Sequence, residues 1–312
     1  MSMQDNVVNA IECVNVTKTF RSIEKTDSKG HMVAKVALDK FSVQIKKDRI
    51  YALLGRNGAG KTTLMNCLCT LYLQDSGDIR ILGEIPYEND RILENIVFMS
   101  DNITGFDLKS VKAILTFAKD FYKNWNKELA DKLVAFFELD IKQLYSELSK
   151  GQKTVVGIII GLCSGCEVVL LDEIYSGLDA VARNNFYKIL MEEFERKPRT
   201  FVLSTHLIEE MTTLFTDVII MDKGKVILNE EMDVIYQKSY KCVGRTDNEG
   251  AFAGKNVIAK NKAGAVTEYL VYDSMNESDI EKLKSEGFTI STMSLQELFI
   301  GLTEEEPKEW GA

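Results

Sequence analysis

The stretch Gly55-Arg56-Asn57-Gly58-Ala59-Gly60-Lys61-Thr62-Thr63 decides the fold. It follows the apolar run Ile50–Leu54, which predicts a buried parallel strand, and it precedes Leu64–Leu68, which predicts the first turns of a helix. Its glycines allow consecutive backbone N–H groups to curl around phosphate oxygens, and the helix adds its positive N-terminal end. A plain glycine turn is the alternative, but the strand, loop and helix context favours a phosphate-binding P-loop.

Individual positions of this loop predict contacts to a nucleotide. Lys61 can reach the β- and γ-phosphates, and the Thr62 hydroxyl can hold Mg²⁺. A P-loop alone does not separate a kinase, a GTPase and a motor, so the later motifs decide between these classes. The predicted nucleotide-binding positions of the loop are Gly55, Asn57, Gly58, Gly60, Lys61, Thr62 and Thr63.

Length and composition predict a folded α/β protein with two parts. A chain of 312 residues with 45% hydrophobic content can bury a full core and suggests one large domain and a smaller one. Its formal net charge of −9 argues against a surface that binds duplex nucleic acid. We therefore expect no nucleic acid among its partners.

The cysteines and the apolar runs predict a cytoplasmic protein. The six cysteines lie mostly in apolar stretches, as reduced core thiols do. Cys163 and Cys166 match a CxxC pattern, but no second CxxC or partner histidine accompanies them, so helix-end packing is favoured over metal or redox chemistry. We expect no signal peptide, because residues 1–6 include no basic or apolar segment, and the longest apolar run, 154–166, is shorter than the ~20 residues of a membrane span.

The region before the P-loop predicts two strands and a loop. Residues 8–20 suggest an edge strand and residues 41–45 another strand, with the polar stretch 21–35 as a surface loop between them. His31 lies in that loop and is expected to be solvated rather than functional.

Two further regions have their own character. Residues 107–139 show helical periodicity, and the aromatic cluster Phe117, Phe121, Tyr122 and Trp125 follows that spacing, which favours core packing over base stacking. The chain after residue 239 predicts a small α+β domain, with strands at 256–259 and 268–271 and helices at 278–286 and from 295.

Two carboxylates follow the buried run Val168–Leu171. Asp172 and Glu173 would emerge at the carboxyl end of a parallel strand, where phosphates bind. We expect Asp172 to support Mg²⁺ and Glu173 to accept the proton of the attacking water. The alternative is a strand that ends in surface acids.

The stretch Leu148-Ser149-Lys150-Gly151-Gln152 precedes an apolar helix. Ser149 and the backbone at Gly151 would therefore stand at a helix N-terminus, which favours an anion.

The order of five motifs resembles the nucleotide-binding subunit of an ABC transporter. These motifs are the P-loop (Walker A), the stretch Leu148–Gln152, the Walker B strand 168–173, Ser176-Gly177-Leu178-Asp179 and Ser204-Thr205-His206. The ending Met293-Ser294-Leu295-Gln296-Glu297-Leu298-Phe299 resembles ABC-2 type exporter ATPases, and the middle of the chain resembles their YtrB-like branch.

The resemblance implies a P-loop NTPase of the ABC-ATPase fold that works as a dimer. Each ATP would lie between the Walker A loop of one subunit and the Leu148–Gln152 stretch of the other, where Ser149, Gly151 and Gln152 would bind it. His206 would sense the γ-phosphate, and Phe20 would stack on adenine, with plain core packing as its alternative. The implied domains are residues 8–239, with a helical subdomain at about 105–165, and an accessory domain at 240–312.

Three positions depart from the family pattern. Lys150 stands where glycine is commonest, and it either points into solvent or faces the γ-phosphate across the dimer. Asp101 lies where a glutamine usually contacts Mg²⁺, and aspartate is still an oxygen ligand. Ile174-Tyr175 replaces the usual proline-threonine.

We therefore expect an ATPase that binds ATP and Mg²⁺ and drives a separate transmembrane permease from the inner face of the membrane. The cargo would be a peptide, an antimicrobial or a lipid, and the second ATPase subunit would be identical or different. A soluble ABC ATPase acting on ribosomes or DNA is the main alternative, although this chain lacks a tandem ATPase unit and a long coiled coil. A non-hydrolysing regulator would be expected to lack Glu173 or His206, and this sequence has both.

Overall fold

The computed structural model describes residues 9–26, 32–100, 103, 105–245 and 248–304. The strands are β1 Asn9–Thr26, β2 Met32–Lys46, β3 Ile50–Leu54, β4 Ser76–Ile81, β5 Ile96–Ser100, β6 Val168–Asp172, β7 Thr200–Ser204, β8 Asp217–Asp222, β9 Lys225–Glu231, β10 Ser239–Gly244, β11 Val257–Ala263, β12 Val266–Tyr272 and β13 Thr289–Thr292. The helices are α1 Lys61–Leu68, α2 Asp90–Leu93, α3 Val111–Phe121, α4 Lys127–Phe136, α5 Lys150–Cys163, α6 Ala180–Arg196, α7 Ile208–Met211, α8 Met232–Lys238, α9 Glu277–Ser285 and α10 Leu295–Thr303.

The chain divides into two compact units. The first ends at His206 and adds the turn segment Met221–Val226, and the second takes Leu207–Ile220 and the chain from Ile227 onward. The predicted domain boundary near residue 239 stays a prediction. If a chain truncated after Lys238 still folds and binds ATP, that result would support the boundary.

A parallel sheet forms the centre of the first unit. Four neighbouring strands of this sheet have the order β5, β6, β7, β3, and every residue of β3, β6 and β7 is buried. Continuous apolar runs suit strands that are covered on both faces. Because the strands are parallel, their carboxyl ends meet at one edge, which places Leu54, Ser100, Asp172 and Ser204 close to the P-loop. The predicted α/β P-loop fold is confirmed.

An antiparallel sheet with the order β2, β1, β4 combines two strands that precede the P-loop with one that follows it. Two predictions were wrong here. Strand β1 is the central strand rather than an edge, and most of the polar stretch 21–35 extends the β1–β2 ladder, in which Arg21 pairs with Ala34. Backbone hydrogen bonds between neighbouring strands can hold a polar, exposed sequence in a strand, and periodicity does not detect this. His31 lies outside the described residues.

Helices α3, α4 and α5 form the predicted helical segment. Val111, Ile114 and Ala118 give α3 its buried stripe, and the Ser110 side chain caps its first turn. The prediction of a core aromatic cluster was wrong for Phe117 and Phe121, which are 58% and 51% exposed and stack on each other beside the stripe. Tyr122 is buried and Trp125 is half-buried.

In the second unit, a four-stranded antiparallel sheet has the order β11, β12, β10, β13. Cys242, Tyr269, Val271, Leu283 and Phe288 form the centre of its core. The predicted strands and helices of this region are all present, and β10 and β13 complete the sheet. No helix in the described part of the chain is both long enough and apolar enough to cross a bilayer.

Candidate nucleotide site

The P-loop connects the end of β3 to the start of α1 with two glycines in the left-handed region. Gly58 has a φ of +85° and Gly60 a φ of +110°. A Cβ added to Gly60 would lie 2.4 Å from the carbonyl oxygen of Ala37, so no larger residue fits there without movement. The backbone alone therefore lines this part of the loop and leaves its N–H groups accessible to a phosphate.

Lys61 begins α1, and only 8% of its surface is exposed. Its Nζ donates to the carbonyl oxygen of Gly55 at 2.6 Å and lies 4.0 Å from Glu173 Oε1. Burial lowers the pKa of the Lys61 ammonium, and the nearby carboxylates of Glu173 and Asp172 oppose this effect. An anion such as a terminal phosphate would favour the charged form of Lys61 further.

A network of hydroxyls holds Asp172 at the end of β6. The Thr62 hydroxyl donates to Asp172 Oδ2 at 2.6 Å, and the Ser204 hydroxyl donates to Asp172 Oδ1. Asp172 is 7% exposed, so both carboxylate oxygens are fixed in a buried position. The sequence indicated Thr62 and Asp172 as a pair, but it gave no sign that Ser204 at the end of β7 would orient the carboxylate.

Glu173 follows in an unusual backbone conformation. Its φ is +49°, which is uncommon for a residue other than glycine, and its backbone N–H donates to the Ser204 hydroxyl at 3.1 Å. The side chain is 34% exposed, and its Oε2 lies 3.7 Å from Nδ1 of His206. Such strained residues are held by their surroundings and cluster at functional sites.

These elements surround one cavity of about 520 Å³, which we call the nucleotide cavity. Phe20 lines it, is 37% exposed and contacts Tyr72 edge to face at 5.4 Å between ring centroids. Lys35 and Ser100 line it as well, and sequence reasoning missed both. Lys35 was missed because it pairs with Phe20 across the β1–β2 ladder, a region predicted to be a loop. The predicted residues among the lining are Phe20, Asn57, Gly58, Gly60, Lys61, Thr62, Thr63, Asp172 and Glu173.

The stretch Leu148–Gln152 does not line the nucleotide cavity. Ser149 caps α5: its hydroxyl accepts from the Gln152 N–H at 3.2 Å, and Gln152 Oε1 accepts from the Ser149 N–H at 2.9 Å. This reciprocal pair is a capping box, which the sequence reasoning did not identify. A Cβ added to Gly151 would lie 3.0 Å from the carbonyl oxygen of Gly177, so the Ser176–Asp179 loop packs directly on this turn.

The substitution Ile174-Tyr175 has a packing explanation. Both side chains are fully buried, and the Tyr175 hydroxyl donates to the carbonyl oxygen of Ser204. Ile174 fills the space beside Gly157 of α5, where an added Cβ would lie 2.8 Å from the isoleucine Cδ1. The pair therefore joins the segment after Glu173 to both β7 and α5. Asp101, the third departure, lies outside the described residues.

Fold and site together define a P-loop ATPase of the ABC class. The family described as "ABC transporter" matches residues 38–176, which include the P-loop, Leu148–Gln152 and the Walker B strand. The match identifies this part of the chain as an ATP-binding domain of the ABC transporter class.

Two curated relatives agree with the predicted exporter branch. The chain is similar to the ABC transporter ATP-binding protein YtrB of Bacillus subtilis (strain 168), at 24% identity over 267 residues, which cover 84% of this chain and 91% of YtrB. It is also similar to the bacitracin transport ATP-binding protein BcrA of Bacillus licheniformis, at 27% identity over 223 residues, which cover 70% of this chain and 72% of BcrA.

Solved structures share the fold. The dimeric ATP-binding cassette MJ0796 bound to ADP and Pi superposes with a TM-score of 0.59 at 21% identity, covering 71% of this chain and 98% of that one. An ATP-binding subunit of an ABC transporter superposes with a TM-score of 0.61 at 20% identity, covering 72% of this chain and 91% of that one.

Proposed function

We propose that this chain is the ATP-hydrolysing subunit of an ABC exporter, and that its nucleotide cavity is one half of a site completed by a second subunit. The observation that carries the proposal is the placement of Glu173 on the exposed side of Lys61 and Asp172, within 4.0 Å of the Lys61 ammonium. A buried ammonium and a hydroxyl of the kind that bind phosphate thus stand beside a carboxylate that water can reach.

The residues of the cavity fit a nucleoside triphosphate. The P-loop N–H groups and Lys61 would bind the β- and γ-phosphates, because a buried ammonium forms strong charge-assisted hydrogen bonds with phosphate oxygens. Phe20 would stack on the adenine, since its ring is partly exposed at the rim of the cavity. Lys35, on the neighbouring strand, adds a positive charge beside the phosphates.

The same residues fit Mg²⁺. The Thr62 hydroxyl and the Asp172 carboxylate are hard oxygen donors that already touch each other, so a cation bound there would take the place of their hydrogen bond. Among the described residues, no cluster of three or more histidine, cysteine, aspartate or glutamate side chains could hold a metal by itself. Mg²⁺ would therefore depend on phosphate and water oxygens as well. When bound, it would neutralise part of the phosphate charge.

Glu173 is the proposed general base. A water between its carboxylate and the γ-phosphate would transfer its proton to Glu173 as it attacks phosphorus, and ADP would leave as the bond between the γ-phosphorus and the β,γ-bridging oxygen breaks. His206 lies on the same side, so it can hydrogen-bond to the γ-phosphate or hold the Glu173 carboxylate in place. The backbone hydrogen bonds of Glu173 to Ser204 fix the base relative to β7.

We further propose that two subunits meet head to tail and bind a separate permease at the inner face of the cell membrane. The names of YtrB and BcrA support a transporter, and that of BcrA supports an antimicrobial peptide as one kind of cargo. The dimeric cassette among the similar structures supports the dimer. A homodimer is the simplest assembly, and a heterodimer with another ATP-binding subunit would use the same surfaces.

The variant Glu173→Gln tests the catalytic proposal. The amide keeps the shape of the side chain but cannot take the proton, so we expect phosphate release to fall about 10²- to 10⁴-fold while ATP binding persists. The measurement is phosphate release by the full-length chain together with its permease, with calorimetry for ATP affinity. The exposed Glu195 of α6 offers the control Glu195→Gln, which should retain full activity. Turnover above roughly a tenth of the wild-type value would refute the assignment of Glu173 as the base.

A further inference from the structure

A second cavity, of about 360 Å³, lies in the first unit and shares no lining residue with the nucleotide cavity. We call it the basic cavity, because Arg196, Lys197 and Arg199 line it together with Asn124, Trp125 and Glu193. Arg199 directly precedes β7, whereas the nucleotide site lies where β7 ends. From Thr200 to Ser204, the rise of a strand separates the two ends of β7 by roughly 13 Å.

Arg199 is the feature of this cavity that the fold leaves unexplained. It is 4% exposed, yet its Nε and Nη1 have no hydrogen-bond partner anywhere in the described chain. Its Nη2 donates to the carbonyl oxygen of Leu162 at 3.0 Å, and its guanidinium lies 5.1 Å from the centroid of the Phe201 ring. Burial lowers the pKa of this guanidinium, and the nearby Glu193 carboxylate opposes this effect.

A structural role accounts for part of Arg199. Leu162 belongs to the last turn of α5, and a cation that bonds to a helix-end carbonyl is stabilising. That contact uses one of the three guanidinium nitrogens. Leaving the remaining donors of a buried arginine unpaired costs free energy, so a further acceptor at this place would stabilise the protein.

The carboxylate in the cavity is already engaged. Glu193 accepts from Arg196 twice, from Nε at 3.2 Å and from Nη2 at 2.5 Å. Lys197 forms no ion pair with any described residue, and it lies at the exposed end of α6. Three cations and one anion give the lining a formal charge of +2, in a chain whose net charge is −9.

We propose that the basic cavity binds a phosphate group, either free or as part of a lipid headgroup, through Arg199 and Lys197. A guanidinium and an ammonium in the lining of one cavity suit the tetrahedral array of phosphate oxygens. The side-chain amide of Asn124 and the indole N–H of Trp125 are further donors in the lining. Bound phosphate would place a compensating negative charge beside the buried Arg199 guanidinium.

Trp125 makes the proposal directly measurable. The chain has two tryptophans, and the other is Trp310. In a Trp310→Phe background, the fluorescence of the full-length protein therefore reports on the basic cavity alone. Inorganic phosphate is the probe, added at constant ionic strength while a non-hydrolysable ATP analogue saturates the nucleotide cavity. We expect a saturable change in the fluorescence of Trp125.

Matched variants decide whether the response belongs to this cavity. Lys197→Gln should weaken phosphate binding about tenfold, whereas Lys142→Gln, the same change at an exposed lysine outside the lining, should leave it unchanged. Arg199→Met should abolish binding, and if that variant does not fold, Lys197→Gln decides the question. A wild-type response that does not saturate, or equal dissociation constants for Lys197→Gln and the wild type, would overturn the proposal.

Vesicles separate the two sources of phosphate. Vesicles of phosphatidylcholine that contain phosphatidic acid should change the Trp125 fluorescence if the ligand is a headgroup, and Lys197→Gln should reduce that change. Binding of inorganic phosphate without a vesicle response assigns the cavity to a soluble phosphate. Failure of both probes would overturn the site and leave the proposed ATPase function untouched, because the nucleotide cavity uses other residues.

Discussion

The two regions expected to bind ATP differ in how their polar groups are used. In the nucleotide cavity, the P-loop backbone and Lys61 face an open volume, and the Glu173 carboxylate is partly exposed. In the Leu148–Gln152 stretch, the Ser149 and Gln152 side chains bond to each other's backbone, and Gly151 lies under the carbonyl of Gly177. The first region is a cavity, and the second is a capped helix end.

This difference indicates what each region contributes. A capping box fixes the first turn of α5, so the accessible N–H groups and the dipole of that turn keep one orientation. Such a surface suits a γ-phosphate brought by another molecule better than it suits enclosure of a whole nucleotide. We therefore interpret the two regions as the halves of sites that form between two subunits.

Loss of the Lys61 charge in the nucleotide cavity should have the largest effect on ATP binding. Lys61→Ala removes the ammonium that is proposed to contact the phosphates, and we expect ATP affinity to fall about a hundredfold, or about 3 kcal/mol. Calorimetry on the full-length chain measures it, with Lys142→Ala as the control at an exposed lysine. Unchanged affinity for ATP would remove Lys61 from the list of phosphate ligands.

A charge on the capped helix end should affect the dimer rather than the monomer. Lys150 is exposed at the start of α5, and if it faces the γ-phosphate of the other subunit it favours the closed dimer by about 1 kcal/mol. In a Glu173→Gln background, Lys150→Gln should raise the ATP concentration needed for dimerisation by up to about tenfold. Light scattering across an ATP titration measures the midpoint. A midpoint equal to that of Glu173→Gln alone would assign Lys150 to solvent.

The smallest effect is expected at the rim of the cavity. Lys35 is exposed, so water screens its charge, and Lys35→Gln should weaken ATP binding about threefold. The exposed Lys109 provides the control Lys109→Gln, which should bind ATP as the wild type does. A loss as large as that of Lys61→Ala would mean that Lys35 contacts the phosphates directly.

The sequence predicted the parts of this structure that follow from local chemistry. Glycines around a lysine, and acids after a buried strand, specify the P-loop and the position of Asp172 because both depend on contiguous residues. The parallel sheet brings the P-loop and Asp172 together, so the contact between them follows from the fold class. The predicted roles of the individual site residues remain predictions.

Features that depend on distant partners were not predictable in this way. Ser204 holds Asp172 from a neighbouring strand, and Lys35 reaches the cavity because the β1–β2 ladder continues through polar sequence. Phe117 and Phe121 have helical spacing, but they lie beside the buried stripe of α3 rather than within it. Periodicity gives the face of a helix that is apolar, and only the neighbouring elements decide how much of that face is covered.

The measurement that tests the central claim most directly is a mixing experiment with two defective chains. One carries Lys61→Ala, which damages the cavity half, and the other carries Ser149→Asp, which adds a negative charge to the helix-end half. Aspartate caps a helix as well as serine does, and Ser149→Asn is the neutral control that should dimerise normally. All chains carry Glu173→Gln, so that ATP is not consumed.

Neither defective chain should dimerise with ATP alone, because every site in either homodimer contains a damaged half. In the mixture, a heterodimer pairs the intact cavity of the Ser149→Asp chain with the intact helix end of the Lys61→Ala chain. Light scattering should therefore show dimers that form with ATP in the mixture and in neither separate sample. A mixture that scatters as the average of its two components would contradict the claim that each ATP site is shared between two subunits.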